Sequence, residues 1–291
     1  MVGLRLSPQE EEVAGYQVML DRRWFSCGTV DGVVGSRMRL ALLEFQRIHQ
    51  IPKTGLLDEA TKRAIGMPVQ PLVRQELSVA DFAKIAPTPT LWVQRAQAVA
   101  LGYNTALEMA AEKFHTTPLF LRKLNPGLDW EGVKPGVWVL APNIEESVAV
   151  SKAGRVEVKL SDKTVRVVDR LGRVVAFFPC SIAQKAEKRP VGELKVMVAV
   201  HNPNYTFNPE VLREVARAEG IRNKCILPPG PNNPVGMAWI GLDKLGYGLH
   251  GTPEPEMVSR TESHGCFRLA NWNADRLRRM VSVGTPVVVR P

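Results

Sequence analysis

The sequence is poor in the features that mark several large functional classes. Its four cysteines, Cys27, Cys180, Cys225 and Cys266, form no C-x-x-C pair and show no metal-ligand spacing, so no metal site and no cofactor are expected. Free thiols are the expectation for the three beyond Cys266, with a Cys180 to Cys225 disulfide as the lesser alternative. Apolar runs are short. The longest, such as Val174-Val175-Ala176-Phe177-Phe178, have strand length against the roughly twenty residues a helix needs to cross a bilayer, and no membrane span is expected. The net charge of +9 favours approach to a polyanion, yet no dense Lys/Arg block with interleaved aromatics occurs, and nucleic acid is not an expected partner. A surface rich in anionic glycan and carboxylate groups suits the same charge, and so does a merely solvated basic face. The start of the chain turns acidic at Glu10-Glu11-Glu12, where a signal peptide would become apolar. Either the chain is cytoplasmic, or its export signal lies outside this sequence.

What the chain does have is length for two or three domains, 291 residues at 45% apolar content, and one stretch that suggests chemistry. From His250 to Arg268 a cysteine follows a histidine within polar, glycine-bounded sequence. A thiol attacks well at neutral pH when an imidazole draws off its proton, so His250 and Cys266 are candidate base and nucleophile for acyl transfer. A lone cysteine is more often a small buried hydrophobe and a lone histidine a satisfied side chain. The polar setting favours the chemical reading here.

Residues 13–67 read as a helical bundle. Val13, Tyr16, Val18, Met19 and Leu20 cluster at near-helical spacing, Met38, Leu42, Phe45 and Ile48 repeat at three or four, and a third short helix begins near Asp58. Val30-Asp31-Gly32 with Gly35, Phe45-Gln46, and Thr54-Gly55-Leu56-Leu57-Asp58 with Thr61 resemble the peptidoglycan-binding three-helix domain, which implies a targeting module. The same residues are also turn and core formers. Met67-Pro68-Val69-Gln70-Pro71 reads as a boundary. Within residues 76–145, helices are expected from Ser78, from Leu91 to about Val99, from Thr105 to Phe114, and before Leu124-Asn125-Pro126-Gly127. The run from Thr105 to Leu140-Ala141-Pro142 resembles a lysin-motif (LysM) glycan-binding module, without a clear opening strand; a packing spacer is the alternative.

Beyond residue 147 short β-branched runs take over: Val148–Val150, Val156–Leu160, Val165–Val168 and Val174–Phe178, with turns expected at Gly154, Ser161-Asp162 and Asp169–Gly172. Further strands are expected at Gly192–Val200 and Met237–Leu242, and the loop from His201 to Pro209, with Tyr205 and Phe207, is a candidate substrate wall or lid. The fold class is thus multidomain α+β: an N-terminal helical bundle, a small α/β LysM-like module, and a β-rich, sandwich-like domain of mixed sheets over residues 147–291. Four elements carry a specific resemblance: Arg189-Pro190-Val191-Gly192, Pro229–Gly236, Tyr247-Gly248-Leu249-His250-Gly251-Thr252, and Ser263-His264-Gly265-Cys266-Phe267-Arg268. In this order they resemble the catalytic domain of bacterial L,D-transpeptidases.

That resemblance implies a peptidoglycan enzyme, periplasmic or wall-associated, whose partners are stem peptides and glycan strands. Cys266 would attack a tetrapeptide stem after its third residue and release D-alanine. His250 would carry the proton, Ser263 would orient His250 through its backbone carbonyl, and the Gly265 and Cys266 amides with His264 would receive the oxyanion. Arg268 is placed equally as a clamp for substrate carboxylate and as a loop buttress, and Tyr247, Asn233, Gly251 and Thr252 are expected at the substrate pocket, with Trp239 in the core. Carbapenems would acylate Cys266. The acceptor is left open between a second stem and the lysine of a wall-anchored lipoprotein. Alternatives are a wall-binding scaffold with an idle catalytic domain and a cysteine endopeptidase, carboxypeptidase or amidase, which differ in whether and how a thioester is resolved.

Overall fold

The computed structural model describes residues 6–66, 70–145, 150–261 and 265–291. The first unit holds helices α1 (Pro8–Asp21), α2 (Ser36–Ile48) and α3 (Glu59–Ile65). Ser7 opens α1 with a reciprocal cap, its hydroxyl accepting from the Glu10 amide while the Glu10 carboxylate accepts from the Ser7 amide. Tyr16, Leu20, Met38, Leu42, Phe45 and Ile65 close on one another with Phe25 as a buried core. The polar residues of the wall-binding resemblance are internal braces. Buried Gln46 donates to Thr54 Oγ1, Thr61 Oγ1 and the Leu56 carbonyl and accepts from the Gly55 amide, while Gln17 ties down Asp31, Gly32 and Val33.

The middle unit runs β1 (Leu72–Leu77), α4 (Val79–Phe82), α5 (Trp92–Gln97), α6 (Ala106–Lys113), α7 (Pro118–Leu124) and β2 (Val137–Pro142). Strands β1 and β2 pair antiparallel from Leu72↔Pro142 to Leu77↔Val137. Strand β1, which the sequence reading did not include, lies well upstream of Thr105, and the segment from Ser78 to Thr105 separates it from α6. It escaped notice because only its last residue, Leu77, is fully buried, which leaves no alternation to read. The expected helix starts hold: Ser78 caps α4 and Thr105 caps α6.

The third unit contains β3 (Ala153–Lys159), β4 (Thr164–Asp169), β5 (Val174–Pro179), β6 (Gly192–His201), β7 (Tyr205–Phe207), α8 (Arg213–Glu219), β8 (Cys225–Leu227), β9 (Ala238–Leu242), β10 (Gly248–His250), β11 (Phe267–Arg268), α9 (Asn271–Met280) and β12 (Pro286–Arg290). Among the described residues eight strands form one mixed sheet in the order β11-β10-β9-β6-β12-β3-β4-β5, and β7 pairs with β8 separately. Its two halves share one core: Val156, Val165 and Phe178 cluster with Ile240, Leu249 and Phe267, and Ala274 and Leu277 of α9 join them. Gly154 is a correction. It lies inside β3 at a bulge against β4, where a Cβ would stand 2.7 Å from the Asp169 carbonyl oxygen, so the glycine serves close strand approach rather than a turn. The Val148–Val150 run falls almost wholly outside the described residues. All four cysteines are free thiols, so the Cys180 to Cys225 alternative drops out.

The three units dock tightly. Strand β5 is the sheet's edge, and residues 24–26 cover it: the Phe177 amide donates to Trp24 and the Ser26 amide to Phe177. Asp21, at the end of α1, forms a buried two-point ion pair with Arg276 of α9 and receives His115 Nδ1 of the middle unit at 2.8 Å. His115 in turn stacks on Trp272, ring centroids 4.7 Å apart.

Candidate active site

Strand alternation builds the site. Ile240 on β9, Leu249 on β10 and Phe267 on β11 point into the core, so their neighbours Trp239 and Gly241, Gly248 and His250, Cys266 and Arg268 emerge on the other face. Register then aligns them across the sheet. His250 lies opposite Trp239 on the antiparallel side and opposite Arg268 on the parallel side, and Gly248 lies opposite Gly241. The two glycines leave room for the indole of Trp239, which stacks on the His250 ring with centroids 5.7 Å apart. A Cβ on Gly248 would stand 2.7 Å from the Trp239 ring.

His250 is buried, and its Nδ1 lies 2.6 Å from the Gly251 carbonyl oxygen. A carbonyl only accepts, so Nδ1 carries the proton and Nε2 is left as the acceptor nitrogen. Burial, opposed by this hydrogen bond and reinforced by nearby Arg268, pulls the imidazole down to about 4. Cys266 lies at the lip of the row, its thiol donating to the Gly246 carbonyl at 3.4 Å. Burial pushes that thiol up to about 11, against the Gly248 amide and Arg268, which both favour the thiolate. At neutral pH burial thus holds the Cys266 thiol and the His250 imidazole in their neutral forms.

Residues 153–289 match the L,D-transpeptidase catalytic domain family YkuD, and residues 9–65 match the putative peptidoglycan binding domain family. The chain carries a YkuD L,D-transpeptidase catalytic domain and, on its N-terminal side, a peptidoglycan-binding domain. It is therefore an enzyme, an acyltransferase of the cell wall, with a wall-binding unit at its N-terminal side. Among curated relatives of this L,D-transpeptidase is the putative L,D-transpeptidase YkuD of Bacillus licheniformis, 29% identical over 64% of this chain and 93% of that protein. The putative L,D-transpeptidase YqjB of Bacillus subtilis is 31% identical over 40% of this chain and 60% of its own length. The probable L,D-transpeptidase YbiS of Escherichia coli is 26% identical over 64% of this chain and 60% of its own.

In this L,D-transpeptidase the expected residues separate into groups. Cys266, His250, Gly251 and Arg268 come together at the β10–β11 row, and the Gly251 carbonyl accepts from His250 Nδ1. Ser263 and His264 lie outside the described residues; Gly265 is half-buried beside Cys266. Arg268 is bound through its backbone to Ser181 in both directions, and its guanidinium feels Glu254 and Cys266. Tyr247 belongs to the loop that carries the Gly246 acceptor, with Lys244 Nζ 4.7 Å above its ring. Thr252 is buried and accepts the Glu254 amide. Asn233 is a correction: it is wholly buried, its Nδ2 donates to the Pro228 carbonyl and its Oδ1 accepts the Val235 amide, so it braces its own loop instead of facing substrate.

Two contributors, Trp92 and Arg37, went unread in the sequence, and two that were read, Trp239 and Tyr205, take a more definite place. Trp239, expected in the core, is the stacking partner of His250. Tyr205 on β7 has its hydroxyl pushed up mainly by burial and further by Cys266, which sets the lid within electrostatic reach of the nucleophile. Trp92 of the middle unit packs on the same lid, 6.1 Å from Tyr205 and 5.0 Å from Phe207 between ring centroids, and Glu219 of α8 accepts the Trp92 amide at 2.7 Å. Arg37 of the first unit donates to the Glu256 and Val258 carbonyls, which gives the acidic Pro253–Glu256 loop a support from the wall-binding side.

Proposed function

We propose that the enzyme opens the tetrapeptide stem of peptidoglycan after its third residue and passes the acyl group to an amine. The observation that carries this reading is the buried, neutral His250, its proton pinned on Nδ1 by Gly251, on the same face of the sheet as Cys266. The Cys266 sulfur attacks the stem carbonyl carbon as Nε2 of His250 takes the thiol proton. The carbonyl oxygen becomes an oxyanion, received by the Gly265 and Cys266 amides. Collapse breaks the C–N bond, His250 returns its proton to the departing D-alanine nitrogen, and a thioester remains. An acceptor amine then attacks that thioester, loses its proton to His250 and regenerates the thiol. Arg268 supplies a planar cation beside the row, suited to a stem carboxylate. The β7–α8–β8 lid, with Tyr205 toward the nucleophile, would exclude water and so favour amine over hydrolysis.

Glycan strands are the proposed partner of the first unit. A cavity of about 430 Å³ in the middle unit, lined among others by Asn104, Arg122 and Trp130, would suit a sugar. No described helix is long and apolar enough to cross a membrane. The proposed place of action is the wall or periplasm. Disaccharide-tetrapeptide incubated with the enzyme should release D-alanine, and mass spectrometry of treated sacculi should show new links between third-position residues or attached lipoprotein. Release that persists in Cys266→Ala would overturn the mechanism, and stem hydrolysis without new links would replace transfer by hydrolysis.

A further inference from the structure

The middle unit reaches the catalytic row through one side chain. Glu112 of α6 accepts from the Tyr103 hydroxyl at 3.0 Å and from Asn271 Nδ2, which lies 3.0 and 3.1 Å from its two carboxyl oxygens. Asn271 is the first residue of α9 and is buried. Its Nδ2 also donates to the Pro231 carbonyl at 3.1 Å, and its Oδ1 accepts the Met237 amide at 3.0 Å. A backbone carbonyl only accepts and a backbone N–H only donates, so these two contacts fix which way the amide faces, and Glu112 takes the remaining Nδ2 hydrogen.

The orientation matters because of what the oxygen touches. A Cβ on Gly236 would lie 1.9 Å from Asn271 Oδ1, and one on Gly251 would lie 2.1 Å from it. The amide oxygen thus occupies the space between two backbone segments, and both are glycine for that reason. Gly251 is also the residue whose carbonyl holds His250 Nδ1. A continuous set of contacts runs from a carboxyl group of one folding unit to the imidazole of another.

We propose that Glu112 is a positioning residue of the transpeptidase centre: through Asn271 it holds the Gly236 and Gly251 backbone, and with it the His250 ring, in register with Cys266. The inference rests on the Cys266 and His250 reading given above. It makes the middle unit a working part of the active site as well as a spacer.

The test compares Glu112→Met, which fills similar space without an acceptor, with Glu112→Gln, which keeps a carbonyl toward Asn271. In Glu112→Met, kcat for D-alanine release should fall about tenfold to a hundredfold with KM held within about twofold, and Glu112→Gln should restore most of the loss. Alkylation of Cys266 by iodoacetamide, followed by the mass of its peptide, should slow in parallel and needs no substrate. A folded Glu112→Met with wild-type kcat and alkylation rate overturns the inference, and so does a loss confined to KM or one that Glu112→Gln fails to restore. Where Glu112→Met melts below the assay temperature, Glu112→Asp, one methylene short of Asn271, carries the same expectation at smaller size, and a wild-type kcat there overturns it. A wild-type chain that releases no D-alanine, yet alkylates at Cys266 in a Glu112-dependent way, upholds the positioning role and overturns the transpeptidase reading.

Discussion

Asp21 and Arg276 face each other with both carboxylate oxygens engaged, Oδ1 to Nη1 at 3.0 Å and Oδ2 to Nη2 at 2.9 Å, in a site from which water is excluded. Burial alone would raise the Asp21 carboxyl; Arg276 and His115 outweigh it and hold the group well below the usual carboxylate range. The pair joins the wall-binding unit to the catalytic unit, and His115 adds the middle unit.

Removing one partner leaves the other charge buried and uncompensated. Asp21→Ala should therefore destabilise the fold by roughly 3–5 kcal/mol, visible as a lower midpoint in denaturant. Because the folded-state pKa is depressed, Asp21 contributes its stability above the unfolded carboxylate pKa of about 3.9, and the contribution drains away as pH falls below that value. The wild type should lose more stability on acidification than Asp21→Asn, and equal acid sensitivity of the two chains would refute the assignment.

In the proposed mechanism His250 sets the acid limb of catalysis. Its imidazole is depressed to about 4, so the base form needed for attack persists down to that pH. Acylation of Cys266 by a carbapenem, followed by intact mass, should rise through pH 4 and be nearly flat between pH 5 and 8. An ordinary imidazole would place the limb near about 6.5, and a limb found there would mean that the ring is not buried as described.

Gly248→Ala tests the row itself. The added methyl would stand 2.7 Å from the Trp239 ring and 2.8 Å from the Ile240 carbonyl oxygen, and the second of these is backbone and cannot step aside. The indole must move, and His250 with it. Overpacking of this kind costs about 1–3 kcal/mol, so the variant should fold with a lowered melting temperature while kcat falls by a larger factor than the stability change alone explains.

Trp92→Ala tests the lid. Trp92 packs on Tyr205 and Phe207 from outside the catalytic unit, and Glu219 accepts at the start of the helix that carries it. Without the indole, the β7–α8–β8 segment should open more often. Trypsin should then cut faster at Arg213, Arg217, Arg222 or Lys224, and KM should rise more than kcat falls. Unchanged cleavage would show that the lid holds itself.

The proposed nucleophile and base stand out in the sequence because glycine-bounded polar sequence around a Cys/His pair is a local signal. Cap residues such as Ser78 and Thr105 were legible for the same reason. Trp239 was misread because an aromatic residue on a strand carries no mark of which face it takes; only the Gly241 and Gly248 pair, read across two strands, would have assigned it to the site. Asn233 was misread in the opposite sense, since a loop amide that serves its own backbone looks like one that awaits substrate. Asp21 and His115, like Glu112 and Asn271, lie far apart in sequence and meet only after the units have packed. No local pattern announces such meetings.

The docking of the first unit has a geometric consequence. A binding module on a slack linker raises the local concentration of polymer around an enzyme without choosing where on the polymer the enzyme acts. Here the joint is a buried ion pair, a strand-edge cover and a stacked histidine, so under the proposed function a glycan strand held by the N-terminal helices would be offered to Cys266 at one offset and one angle. The enzyme would behave as a calliper, its span fixed by Asp21 and Arg276, sampling stems at a set distance from its own foothold.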